Sequence, residues 1–60
     1  MYLTAEMVEK IDIDLANYTN EEVEIYYITY TGLYKHYPNN YYKLMIDRCT
    51  EELKKRGLGS

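Results

Sequence analysis

The chain is expected to be all-α: a small three-helix bundle, or a helical hairpin with an N-terminal helix laid across it, either alone or as a dimer. Three observations predict this. Segments near 4–16, 19–36 and 40–56 each repeat apolar residues at helical spacing. Each opens on a side chain able to cap a helix. The connections between them are short, which makes successive helices antiparallel neighbours in one small domain spanning 1–60.

The first segment begins at Thr4, whose hydroxyl can accept from the first free backbone amides, while Leu3 and Val8 have the spacing of a hydrophobic staple. Met7, Val8, Ile11 and Leu15 share one face. Glu6, Glu9, Asp12 and Asp14 occupy the rest, leaving Ile13 on the polar side. Asn17 is expected near the end, since asparagine tolerates the left-handed conformation common just past helix termini.

The second segment carries the fullest entry signal. Thr19 and Glu22 form a T-x-x-E capping box, Tyr18 and Val23 have staple spacing, and Glu21, Glu22 and Glu24 sit where the helix dipole favours acids. Residues 23–34 are rich in β-branched and aromatic side chains and by propensity alone would read as a strand. The adjacent pair Tyr26-Tyr27 breaks strict alternation, however. At 100° per residue Val23, Tyr26, Tyr27, Tyr30, Leu33, Tyr34 and Tyr37 fall in one stripe roughly 120° wide, so helix is the better reading. Ile25, Ile28 and Gly32 form a second, smaller patch away from it. Gly32 costs a helix interior about 1 kcal/mol relative to alanine, and marks a kink, a close approach or an early end. A helix with two apolar sides is expected to be central, with chain or partner on both.

Tyr37-Pro38-Asn39-Asn40 is the clearest break, because the residue before proline is pushed out of helical geometry and either asparagine can cap the next helix. The third segment places Tyr42, Met45, Ile46, Cys49 and Leu53 on one face. Arg48–Glu52, Glu51–Lys55 and Glu52–Arg56 are expected as surface pairs at i,i+4 spacing. Lys54, Lys55 and Arg56 suit the last turn. Gly57 then stands where a Schellman ending needs glycine, with Leu53 and Leu58 as its apolar pair. Gly59-Ser60 reads as a tail. The expected core is Val8, Ile11, Leu15, Val23, Tyr27, Tyr30, Leu33, Met45, Ile46, Cys49 and Leu53.

Composition bounds the function. Sixty residues bury only about 60% of the unfolded surface, so such chains commonly need a further staple. Cys49 is the only cysteine and His36 the only histidine, which excludes an internal disulfide and leaves a Cys/His metal site poorly supplied with ligands. No metal and no cofactor is expected. A partner or a second copy remains as the staple. No apolar run approaches the ~20 residues of a membrane span, and Met1 to Ala16 lacks the plan of a secretory signal. A cytoplasmic protein without membrane association is expected, and a lone cysteine fits a reducing compartment. The absence of Trp and Phe beside nine tyrosines, with many Asn, Ile and Lys, is the bias AT-rich coding produces, as in a low-GC bacterium or its phages.

Net charge is −3, unevenly spread: residues 1–26 hold seven acids and one base, residues 27–60 three acids and six bases. Overall acidity disfavours nucleic acid as a partner, since that task needs clustered bases to displace counterions. A basic variant of that idea uses Lys35, Lys43 and Lys54 with the tyrosines as stacking platforms. Catalysis is not expected. His36 sits in a last turn where a solvated imidazole is favoured, Cys49 faces inward as a small hydrophobe, and Asp12 and Asp14 diverge on their helix.

Tyrosine is the informative residue. A buried phenol must satisfy its hydroxyl, and a bundle this small has few places to do so. Several rings must therefore lie with body packed and tip wet, the state enriched at protein interfaces. Tyr34, Tyr37, Tyr41 and Tyr42 around the turn, with Ile25 and Ile28 on the other face of the second helix, are the expected partner-binding residues. The function expected is a non-enzymatic regulatory protein, of the bacterial or phage inhibitor kind, that binds a partner protein and inhibits or modulates it. A self-associating structural module is a further alternative. Thr19-Asn20-Glu21-Glu22 and Glu52-Leu53-Lys54-Lys55-Arg56-Gly57-Leu58-Gly59 resemble the corresponding ends of the Sda-type sporulation antikinases, helical hairpins that bind a sensor histidine kinase. The resemblance covers about a third of the chain and consists mainly of capping signals. The extra N-terminal helix and the tyrosine-rich turn depart from that family, so it illustrates the inhibitor reading without assigning the chain.

Overall fold

A computed structural model describes residues 4–58, which form three helices: α1 (Ala5–Asn17), α2 (Asn20–His36) and α3 (Asn40–Lys55). The fold class is all-α, as the apolar periodicity predicts. Each helix starts where a side chain satisfies an otherwise free amide. Thr4 Oγ1 accepts from the Met7 amide at 3.2 Å. Thr19 and Glu22 exchange both bonds of the capping box, at 3.2 and 2.9 Å. Asn39, of the two candidates, caps α3 by accepting from the Tyr42 amide at 2.9 Å. Leu3 of the predicted staple and the Gly59-Ser60 tail lie outside the described residues.

The helix ends differ in mechanism. α3 closes with the two bonds of a Schellman motif, Gly57 N–H to Lys54 O at 3.0 Å and Leu58 N–H to Leu53 O at 2.9 Å. Gly57 takes φ 75°, a conformation that costs other residues about 1–2 kcal/mol. α1 ends otherwise than expected. Asn17 does not turn left-handed. It remains helical, its side-chain amide donates to Ile13 O at 3.0 Å, and the chain leaves through an extended Tyr18. α2 passes straight through Gly32 to His36. A Cβ placed on Gly32 would meet nothing within 4 Å, so neither an early end nor a close approach within this chain explains the glycine.

α2 and α3 pack along their lengths as an antiparallel hairpin, and α1 lies chiefly on α3. The cross-links Asp12–Arg48 and Leu15–Arg56 advance along both helices together, so α1 runs in the same sense as α3. The centre is small: Leu15, Val23 and Cys49 are fully buried and Met45 nearly so, with Ile11, Tyr18 and Leu53 packed on them. Val8, Tyr30, Leu33 and Ile46 are half-buried rather than central. Tyr27, expected in the core, is 37% exposed. Because α1 sits on α3, that flank of α2 is left without a cover.

The charged side chains of α3 correct the sequence reading most. Arg48 does not pair with Glu52. It reaches across to α1 and grips the Asp12 carboxylate with two bonds, 2.7 Å from Nε and 3.1 Å from Nη2. Lys55 approaches Glu52 at 3.8 Å instead of pairing with Glu51. The Glu52–Arg56 pair forms at 2.8 Å, yet Glu52 is buried and Arg56 uses its other nitrogens elsewhere. Nη1 donates to Asn20 Oδ1 at 2.9 Å and Nη2 to Leu15 O at 2.7 Å. α1 has no basic residue in its own last turn. Arg56 supplies from α3 the positive group that the free carbonyls and dipole of α1 favour, and one guanidinium thereby ties all three helices.

Candidate partner-binding surfaces

Two surfaces emerge from this packing. The first is the outer side of α2, where Ile25 is 61% and Ile28 68% exposed. They lie one turn apart at i,i+3, with Gly32 four residues further, so they form a single ridge. Large aliphatic side chains on a ridge that neither α1 nor α3 touches gain nothing from folding of this chain. Residues flanking the ridge are ordered by charge: Glu21 and Glu24 toward its start, Lys35 and His36 toward its end, all exposed.

The second surface is built of rings, though not the set expected around the turn. Tyr41 and Tyr42 are half-buried, and their ring centroids are 6.0 Å apart. They turn toward Tyr30, at 6.2 and 5.7 Å, rather than toward Tyr37. Tyr30 continues to Tyr26 at 6.3 Å and Tyr26 to Tyr18 at 5.1 Å, both nearly parallel. These distances lie in the range of favourable ring pairs. The result is a ladder of five tyrosines running from the α1–α2 connection along α2 and onto α3. Tyr37 stands apart, 65% exposed, beside His36 at 6.4 Å. Tyr34 is half-buried and joins no ring pair among the described residues.

The expected quartet is therefore divided. Tyr41 and Tyr42 belong to the ladder, while Tyr34 and Tyr37 do not. Tyr18, Tyr26 and Tyr30 were missing from the expected surface, although spacings of eight and four residues place them on one side of a helix and its entry. The signal was present, but the same spacing is what a core stripe would show.

Beside the ladder lies a cleft of about 200 Å³. Ile11, Asp14 and Leu15 of α1 line one side, and Tyr18, Tyr26, Tyr30, Tyr41 and Met45 line the rest. Tyr30 holds its phenol proton more tightly than usual, pushed up to about 12, first by burial and then by the neighbouring Tyr41 hydroxyl. Tyr18 is raised as well, chiefly by the Tyr26 hydroxyl, with the carboxylates of Asp14 and Glu22 adding to it. Asp14 and Glu22 thus lie close enough to the Tyr18 end of the ladder to act on it.

A broad, shallow hollow beside α1 is lined by Ala5, Val8, Ile13 and Ala16 together with the charged Glu9, Asp12 and Lys55, and exposes Ile13 at 55%. Cys49 is fully buried, and burial pushes its thiol up, the direction opposite to activation. No helix among the described residues is long and apolar enough to cross a membrane. The chain matches no protein-family model, no curated protein and no solved structure.

Proposed function

We propose that this protein is a small non-enzymatic regulator that binds a partner protein through the outer ridge of α2 and inhibits or modulates it by covering the partner's surface. One observation carries the reading. Ile25 and Ile28 are more than half exposed in a chain whose buried centre is only a few side chains, where apolar surface is scarce and each burial contributes about 1.5–3 kcal/mol. Leaving two isoleucines in water is costly for solubility and gains no stability, so an occupant is the physical reason for them. The resemblance of its helix ends to kinase-inhibiting hairpins and its AT-rich composition are compatible with a bacterial or phage inhibitor.

A second copy of the chain is the competing occupant. Antiparallel pairing would bring Glu21 and Glu24 of one copy beside Lys35 and His36 of the other, a self-complementary order. Shape favours a different protein. Two convex ridges carrying two isoleucines each meet over little area, whereas stable interfaces take about 800 Å² per partner. A partner with a groove engulfs the whole ridge.

The experiment is affinity capture on the immobilised protein, comparing the wild type with an Ile25→Asp/Ile28→Asp variant of unchanged circular dichroism. A protein retained by the first and lost with the second is the expected result. Retention of the same protein by both would refute the assignment of the ridge.

A further inference from the structure

We infer that the tyrosine-lined cleft between α1 and the α2–α3 hairpin is a seat for an organic cation, the ammonium or guanidinium head of a lysine or arginine side chain presented by another protein. This goes beyond the role proposed for the α2 ridge and does not depend on it. Tyr26 and Tyr30 line the cleft, while Ile25 and Ile28 project from the other side of the same helix.

The chemistry is set by the residues that line the space. Four tyrosine rings and one carboxylate meet there over an apolar floor of Ile11, Leu15 and Met45, and no Lys, Arg or His is among the described lining residues. Tyr26 and Tyr30 are inclined by 20° and Tyr41 stands at 78° to Tyr30, so the rings that line the space do not share one plane. The face of an aromatic ring attracts a cation placed within about 6 Å of its centroid. Asp14 is exposed and makes no ion pair among the described residues, so its carboxylate is available to the incoming head. Lys10, one turn earlier, does not line this cleft; it borders a neighbouring hollow together with Met7 and with Ile11, Asp14 and Tyr41 of the cleft.

Size and field agree with that occupant. A volume of about 200 Å³ admits an alkylammonium or guanidinium head with its last methylenes, but not a folded peptide. Residues 1–26, which supply Ile11, Asp14, Tyr18 and Tyr26, hold seven acids against one base; Arg48 pairs with Asp12 and Arg56 reaches the Leu15 carbonyl, and the acids that stay outside the ion pairs, Asp14 among them, draw cations. A purely apolar occupant would leave the Asp14 carboxylate without a partner.

The test is NMR titration of the full protein, following ring protons, with acetyl-trimethyllysine amide, acetyl-arginine amide and the uncharged tert-butyl isostere of the first. Saturable shifts at Tyr18, Tyr26, Tyr30 and Tyr41 are expected with both cations at millimolar concentration. The uncharged isostere and the Tyr26→Leu variant should bind roughly tenfold more weakly, and Asp14→Asn several-fold. Equal binding of cation and isostere would overturn the inference by showing an apolar slot, and absence of ring shifts with either cation would overturn it outright. Neither result bears on capture through Ile25 and Ile28.

Discussion

Arg56 shows how far a single side chain can act in a chain with so little interior. Its guanidinium holds the buried Glu52 carboxylate, the Asn20 side chain and the last-turn carbonyl of Leu15. Removing it strips Glu52 of its principal partner inside the protein, and breaking such a pair from one side costs about 3–5 kcal/mol. Arg56→Leu is therefore expected to lower the urea midpoint by most of the stability a domain of this size has, while Arg48→Leu, whose pair with Asp12 is part-exposed, should cost no more than about 1 kcal/mol. Equal losses in the two variants would show that burial of Glu52 does not govern the pair. Tyr30 makes a second prediction at this scale. Its folded-state phenol titrates at about 12 against 10.0 in the unfolded chain. The folded form keeps a proton that the unfolded form releases, so the contribution is complete below pH 10 and falls as pH rises toward 12. Tyr30→Phe should flatten the decline of stability between those values, and parallel declines for both proteins would contradict this.

Among the elements, α2 is the one whose local and tertiary demands diverge. Its start is over-specified by the capping box, and its body is helical despite β-branched and aromatic residues that favour strands. Gly32 sits in open space at ordinary helical φ. Gly32→Ala should stabilise the isolated protein by about 1 kcal/mol, read as a rise in Tm of about 4–8 °C for a domain of this size. Gly57→Ala should do the reverse, by about 1–2 kcal/mol, because the α3 ending requires its positive φ. If Gly32→Ala lowered Tm, the space beside it would have to be filled by another chain.

At the scale of the molecule, helix starts and the Schellman closure of α3 were legible because they depend on residues three to five apart, whereas the way α1 ends was not. The placement of α1 was not, because it rests on Asp12–Arg48 and Leu15–Arg56, groups 36 and 41 residues apart that read equally well as solvated charge. From that placement follow the other departures. With α1 on α3, Tyr27 is uncovered and Glu52 is enclosed. Tyr26 and Tyr30 come to face a cleft beside α1 instead of a core. The exposed pair Ile25 and Ile28 was legible, since it fell outside the main apolar stripe; the division of the turn tyrosines was not, because side-chain direction at Tyr37 and Tyr41 depends on how the hairpin closes.

Regulation through the outer ridge of α2 requires that ridge to be free for another protein, and sedimentation equilibrium from low to high micromolar concentration tests this most directly. The prediction is a monomer of 7.2 kDa across the range, unchanged by Ile28→Asp. A dimer that Ile28→Asp dissociates would contradict it, because the ridge would then already be occupied by a second copy of the chain.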